Sequence, residues 1–146
     1  MYENDYIGKI VILQNIVFNT GKNKLDHAYK GGRPCLLIYN DEEYDYFLTI
    51  KSELRTKSYD FEYYKLNSKD FMYIYNYHKT YYKSNFPYIQ GYVNLMDIHK
   101  RRASGYGSKD YAKLKLSTYK DIINKFKKLH NSENMEVIMS KASIIK

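Results

Sequence analysis

Short runs of apolar and β-branched residues alternate with polar turns along most of this chain, a pattern typical of a protein built largely from β-strands. The run at residues 34–39 is continuously apolar, which indicates a strand buried on both faces. Asn40-Asp41 follows it, so this strand and the next are expected to form a hairpin. The predicted strands lie at residues 8–13, 34–39, 43–50, 59–66, 71–75 and 88–95.

The end of the chain has a different period. Apolar residues between 117 and 130 recur at helical spacing with lysines between them, which predicts an amphipathic helix. Thr118 precedes Asp121 at the spacing of a capping box, so it is expected near the helix start. The glycine-containing stretch at 101–110 predicts a loop, and 137–145 predicts a terminal strand or helical turn.

Many short strands followed by late helices favour an α+β fold, with a compact, strongly bent sheet or a small barrel. The chain has 146 residues, of which 44% are hydrophobic, so one domain spanning residues 1–146 is expected and wholesale disorder is excluded. No apolar run approaches the roughly 18 residues of a membrane helix. The acidic first residues lack the pattern of a signal peptide, and a cytoplasmic protein is expected.

The sequence offers few ligands for a metal or a cofactor. Its single cysteine, Cys35, excludes an intrachain disulfide, and the apolar run around it predicts a buried, unreactive thiol. There is no Cys-x-x-Cys or His-x-x-x-His pair, no acidic cluster with ligand spacing and no glycine-rich phosphate loop. We therefore expect neither a metal nor a cofactor.

Composition points to nucleic acid as a partner. The formal net charge is +8, and the chain has 19 tyrosines but no tryptophan. Basic side chains bind phosphates, and aromatic rings stack on unpaired bases. An AT-rich genome would also produce many lysines and tyrosines, so composition alone leaves both interpretations open.

Positively charged and hydroxyl-bearing residues flank the predicted hairpin. One group precedes the strand at 34–39, and the other ends or follows the strand at 43–50. The start of one strand in an antiparallel hairpin lies next to the end of the other, so both groups are expected to border one groove. The candidate catalytic residues are His27, Lys30 and Arg33 in the first group and Thr49, Lys51 and Ser52 in the second.

These residue types are compatible with RNA cleavage without a metal. The 2′-hydroxyl attacks its own phosphate in line, which needs a base, an acid and cations around the five-coordinate phosphorus. A desolvated lysine beside other cations can exchange protons, and hydroxyl groups can bind phosphate oxygens. A solvated basic loop would have the same composition, so this inventory permits the chemistry without establishing it.

Basic and aromatic residues elsewhere are candidates for binding RNA, since interleaved rings and cations suit unpaired strands. Most of the tyrosines are nevertheless expected to be half-buried strand residues. The predicted RNA-binding residues are Tyr29, Arg55, Lys57, Lys79, Tyr82, Lys83, Arg101, Arg102 and Lys109.

Three segments resemble a known family. Residues 32–38 (GRPCLLI) resemble the Arg-Pro-apolar strand of MazF/PemK-type toxin nucleases, and residues 48–52 (LTIKS) resemble the strand end that contributes their second catalytic patch. Residues 91–98 (GYVNLMDI) resemble the Gly-apolar-apolar-Asn-Leu segment of the ToxN/AbiQ branch, whose toxins are neutralised by a folded RNA. The chain looks most similar to the CptN group of these type III toxin–antitoxin endoribonucleases.

The resemblance, which spans about residues 8–100, implies a compact SH3-like (MazF/PemK-like) antiparallel β-barrel with helical additions. It implies cleavage of single-stranded RNA without a ribosome or a metal. It also implies an antitoxin of repeated RNA pseudoknots, which the toxin processes and binds in a closed, ring-like complex. Arg33, Lys51 and Ser52 match the family's catalytic positions, with Thr49 as a nearby substitute. Lys51 stands where the family pattern has threonine, which leaves open whether an amine or a hydroxyl transfers the proton.

Two other functions fit the same residues. A type II toxin would share the fold but be neutralised by a protein, and a small acidic protein gene upstream would indicate it. A non-catalytic RNA- or DNA-binding module would show the same charge and tyrosine content, but it would leave RNA uncut.

Overall fold

The computed structural model describes residues 8–13, 33–51, 62–74, 90–103 and 112–145. Within these ranges the chain forms eight strands and two helices. The strands are β1 (Lys9–Leu13), β2 (Arg33–Asn40), β3 (Tyr44–Lys51), β4 (Tyr63–Asn67), β5 (Phe71–Ile74), β6 (Gln90–Arg102), β7 (Ala112–Leu114) and β8 (Ser143–Ile144). The helices are α1 (Leu116–Leu129) and α2 (Met135–Met139).

All eight strands belong to one sheet. Seven of them follow the order β4-β6-β3-β2-β1-β7-β5, and β8 pairs with β6 beside that path. Every pair is antiparallel except β6 with β8. The two ends of the path, β4 and β5, are joined only by the 3-10 turn Ser68–Asp70. The sheet therefore curls until its end strands approach each other, and the fold is an α+β half-barrel.

Alternating residues of β2 and β3 enter two separate apolar clusters. Leu36 and Leu48 belong to the larger cluster, which also contains the buried residues of α1 and α2. Leu37 and Phe47 belong to a smaller cluster completed by residues such as Leu13. We call the first side the helix-covered face and the other the second face. The continuous apolar run at 34–39 is buried on both sides, as the sequence predicted.

Helix α1 is anchored to the sheet by apolar and polar contacts. Ile122 and Phe126 are fully buried on it, one turn apart. The Tyr119 hydroxyl donates to the carbonyl oxygen of Ile38 at 2.9 Å. Since the carbonyl of Leu95 must accept, Nε2 of His130 donates to it, also at 2.9 Å. Neither helix in the described part of the chain has the length and apolar content that crossing a membrane demands.

The predicted helix at 117–130 is confirmed, but its predicted cap is wrong. Lys115 occupies the N-cap position, so Thr118 lies inside the first turn. The hydroxyl of Thr118 donates to Asp70 Oδ1 at 3.2 Å, and Lys115 N donates to Asp70 O at 2.9 Å. The turn between β4 and β5 thus supplies the helix start with a partner that lies far away in the sequence.

The strand predictions are confirmed for β1 to β5, and the hairpin turns at Asn40-Asp41 as expected. The predicted loop at 101–110 is wrong at its start, because β6 continues to Arg102 and pairs with β3 as far as Tyr44. β7 was not predicted, because three residues are too few for a recognisable period. Residues 137–145 contain both alternatives, the end of α2 and then β8.

Candidate functional site

The register of β2 and β3 brings two predicted site residues to the same end of the hairpin. Cys35 lies opposite Thr49, so two further residues along each strand lead to Arg33 and Lys51. Arg33 alternates with Cys35 and Leu37 and therefore lies on the second face. Lys51 lies on the same face by the same alternation from Phe47 and Thr49. Both side chains are partly exposed.

Two residues on neighbouring strands extend this pair sideways. Tyr92 on β6 lies opposite Lys51, and Lys65 on β4 lies opposite Tyr92. Directly opposite residues point to the same face of a sheet, and neighbouring strands are about 4.8 Å apart. The result is a row across four strands, Arg33–Lys51–Tyr92–Lys65, which we call the cation row. Lys65 and Tyr92 could not be found from the sequence, because only the strand order places them beside Lys51.

A large bulge in β6 lies next to the cation row. The ladder between β3 and β6 shifts from the pair Leu48–Ile98 to the pair Ile50–Val93, so residues 94–97 face Thr49 alone. Bulges re-aim side chains and are common beside functional sites. This bulge separates the half of β6 that pairs with β4 from the half that pairs with β8.

Asn94 holds the bulge in shape. Its side chain is buried, and Oδ1 accepts hydrogen bonds from the backbone amides of Met96 at 2.9 Å and Asp97 at 3.1 Å. The amide side chain at this position supplies an acceptor for two backbone donors, of which the Asp97 amide is buried. The asparagine of the 91–98 segment therefore has a structural role here.

Gly91 also has a structural role, because the local packing leaves no room for a side chain. A Cβ at this position would lie 2.8 Å from Ile50 Cγ2 and 3.5 Å from the carbonyl oxygen of Lys51. Only a residue without a side chain allows β6 to approach β3 this closely. Gly91 and Asn94 thus fix the backbone on either side of Tyr92.

Buried polar groups also lie along the second face. Thr49 is 1% exposed and His99 is 1% exposed, and Asp45 and Asp97 are also buried. His99 Nε2 lies 3.9 Å from Asp97 Oδ2. Burial lowers the pKa of His99 below its ordinary value, while the negative charge of Asp97 opposes that shift. The imidazole is therefore neutral at neutral pH.

Thr49 and Cys35 are buried, unlike the other described candidates. Thr49 lies deeper in the sheet than Lys51. Of the predicted catalytic residues that the structure describes, only Arg33 and Lys51 are partly exposed. The thiol of Cys35 is fully buried and donates to the carbonyl oxygen of Arg33 at 3.4 Å. Burial strongly raises the pKa of this thiol, so it is an unreactive core residue, as predicted.

Arg101 and Arg102 lie at the opposite end of β3 from the cation row, opposite Asp45 and Tyr44. They are consecutive strand residues and therefore point to opposite faces of the sheet. The guanidinium carbon of Arg102 lies 5.8 Å from the ring centre of Tyr44. The loop expected for these two arginines is replaced by a paired strand.

The remaining predicted site residues lie outside the described ranges. They are His27, Tyr29, Lys30, Ser52, Arg55, Lys57, Lys79, Tyr82, Lys83 and Lys109. Within the described ranges, no group of three or more His, Cys, Asp or Glu side chains is arranged to hold a metal ion. In comparisons with known proteins, no family model, curated protein or solved structure matches this chain.

Proposed function

We propose that this protein is an endoribonuclease that cleaves single-stranded RNA without a metal, with Arg33 and Lys51 acting on the scissile phosphate. The observation that supports this most strongly is the β2–β3 register, which leads to these two cations at the same strand level and on the same face. The curled antiparallel sheet with two helices is compatible with an SH3-like barrel of the MazF/PemK type.

The two cations would have different roles. A guanidinium stays protonated in proteins and binds phosphate oxygens through a planar fork, so Arg33 is suited to stabilise charge on the five-coordinate phosphorus. A lysine amine can exchange a proton, so Lys51 is the candidate for proton transfer among the residues that the structure describes.

In the proposed reaction the 2′-oxygen loses its proton and bonds to phosphorus while the bond to the 5′-oxygen breaks. The leaving 5′-oxygen takes up a proton, which balances the one removed. The products end in a 2′,3′-cyclic phosphate and a 5′-hydroxyl. Ser52 is the hydroxyl residue of the proposal that would bind a phosphate oxygen, because Thr49 is buried in the sheet.

The regulator of this nuclease would be an RNA. The resemblance of residues 91–98 to the ToxN/AbiQ branch and the net charge of +8 support a type III system with an antitoxin of pseudoknot repeats. The toxin would process that RNA and remain bound to it in a ring-like complex. A protein antitoxin would place the same nuclease in a type II system.

The test uses purified protein and single-stranded RNA in excess chelator. We expect products with 2′,3′-cyclic phosphate ends from the wild type. Lys51→Ala and Arg33→Ala should each slow cleavage about 100-fold or more, the usual effect of removing a group that stabilises a transition state. Lys141→Ala, which removes an exposed lysine after α2, is the matched control and should cleave normally. RNA that stays intact with the wild type would indicate a passive binding module.

A further inference from the structure

We propose that Tyr92 and Lys65 form a nucleotide subsite beside the Arg33–Lys51 pair. The ring of Tyr92 stacks on one unpaired base, while Lys51 and Lys65 bind the phosphates on either side of that nucleotide. This inference rests on the proposed function, since it requires single-stranded RNA at the cation row. It adds a binding site for the nucleotide next to the scissile bond.

The strand pairing places the three side chains in one line. Lys65 pairs with Tyr92, and Tyr92 pairs with Lys51, on three neighbouring strands. Their shared face follows from the opposite orientation of Leu66 and Val93, which are buried in the cluster on the helix-covered face. Two strand spacings separate the lysine backbones by about 10 Å, so their long side chains flank the ring.

Exposure matches these roles. Lys65 is exposed, and Tyr92 is partly exposed, so one side of the row is accessible to a ligand. The backbone around Tyr92 is fixed by its neighbours, because Gly91 packs closely on Ile50 and Val93 is fully buried. A ring on such a rigid strand is already positioned before a base arrives, which reduces the entropic cost of binding.

The arrangement favours a single strand over a duplex. Stacking on a tyrosine needs a base whose face is free, and a base inside a duplex is already stacked on its neighbours. A ring between two cations binds any base without strong sequence preference, because every base has an aromatic face. The subsite would therefore contribute affinity and position, while sequence choice comes from elsewhere.

The experiment measures binding to a short single-stranded RNA with 2′-O-methyl groups, which cannot be cleaved, by fluorescence anisotropy at several salt concentrations. Tyr92→Leu should weaken binding about 5- to 150-fold, whereas Tyr92→Phe, which keeps the ring, should bind like the wild type. Lys65→Gln should reduce the slope of log affinity against log salt by about 0.7, and Tyr92→Leu should leave that slope unchanged. Lys141→Gln is the control for loss of an exposed lysine elsewhere.

Wild-type affinity in Tyr92→Leu, or equal losses in the leucine and phenylalanine variants, would overturn the stacking role. An unchanged salt slope in Lys65→Gln would overturn the phosphate contact, and equally tight binding of a duplex would overturn the single-strand assignment. Cleavage of unmodified RNA by the wild type is measured in parallel. If the wild type cleaves and Tyr92→Leu still binds normally, the subsite fails and the nuclease stands. If Tyr92→Leu loses binding and the wild type cleaves nothing, the subsite stands and the nuclease assignment fails.

Discussion

Gly91 on β6 and Ile50 on β3 approach so closely that a Cβ on the glycine would lie 2.8 Å from Ile50 Cγ2. Ile50 is buried and β-branched, so it cannot move aside freely. We expect Gly91→Ala to cost about 1–3 kcal/mol of unfolding free energy, the usual effect of overpacking a core. Urea unfolding monitored by tyrosine fluorescence measures this loss.

A double-mutant cycle identifies the cause. Ile50→Ala removes the atom that the new methyl group would meet, so Gly91→Ala should cost much less in that background than in the wild type. Equal costs in both backgrounds would show that the alanine acts on something other than Ile50.

The bulge next to Tyr92 should depend on the Asn94 side chain. Asn94→Ala leaves the amides of Met96 and Asp97 without their acceptor, and we expect a loss of about 2–4 kcal/mol. Asn94→Asp keeps an acceptor oxygen at the Oδ1 position and should lose less at neutral pH. Comparing the two variants by urea unfolding separates the loss of the acceptor from other effects, and an alanine variant as stable as the aspartate one would contradict this role.

His99 should make the fold sensitive to acid. Its pKa is lowered from the ordinary 6.5 by burial, so the unfolded chain takes up this proton at a higher pH than the folded one. The stabilising contribution is complete above pH 6.5 and is lost as the pH falls toward the folded pKa. We expect His99→Gln to lose less stability than the wild type between about pH 7.5 and 5.5.

The neighbouring carboxylate provides an independent check of that pH dependence. The charge of Asp97 raises the pKa of His99 against the effect of burial. Asp97→Asn should therefore lower the pKa of His99 further and make the loss of stability on acidification steeper. An Asp97→Asn variant with a flatter pH profile than the wild type would contradict the assigned direction.

Local pattern was enough to locate most elements. The strands β1 to β5 and α1 were predicted because apolar runs and helical spacing are local patterns of consecutive residues. The second half of β6 was missed because Asp97, His99 and Arg101 resemble loop residues in sequence. His99 and Arg101 are strand residues because they pair with Phe47 and Asp45 of β3, which is a tertiary effect.

The candidate site was predictable only in part for the same reason. Arg33 and Lys51 flank a hairpin, whose geometry follows from two consecutive strands and a short turn. Lys65 and Tyr92 reach the row only because β6 inserts between β3 and β4, an order that no local pattern encodes. Gly91 and Asn94 were noticed as parts of a resembling segment, but their roles depend on contacts with β3 and within the bulge.

The central claim is that Arg33 and Lys51 act on one phosphodiester, and a double-mutant cycle on cleavage tests it most directly. The rate of RNA cleavage is measured for the wild type, Arg33→Ala, Lys51→Ala and the double variant. Groups that serve one transition state are strongly non-additive, so the double variant should be little slower than the slower single variant. Fully multiplicative losses, or single variants that cleave at the wild-type rate, would contradict the claim.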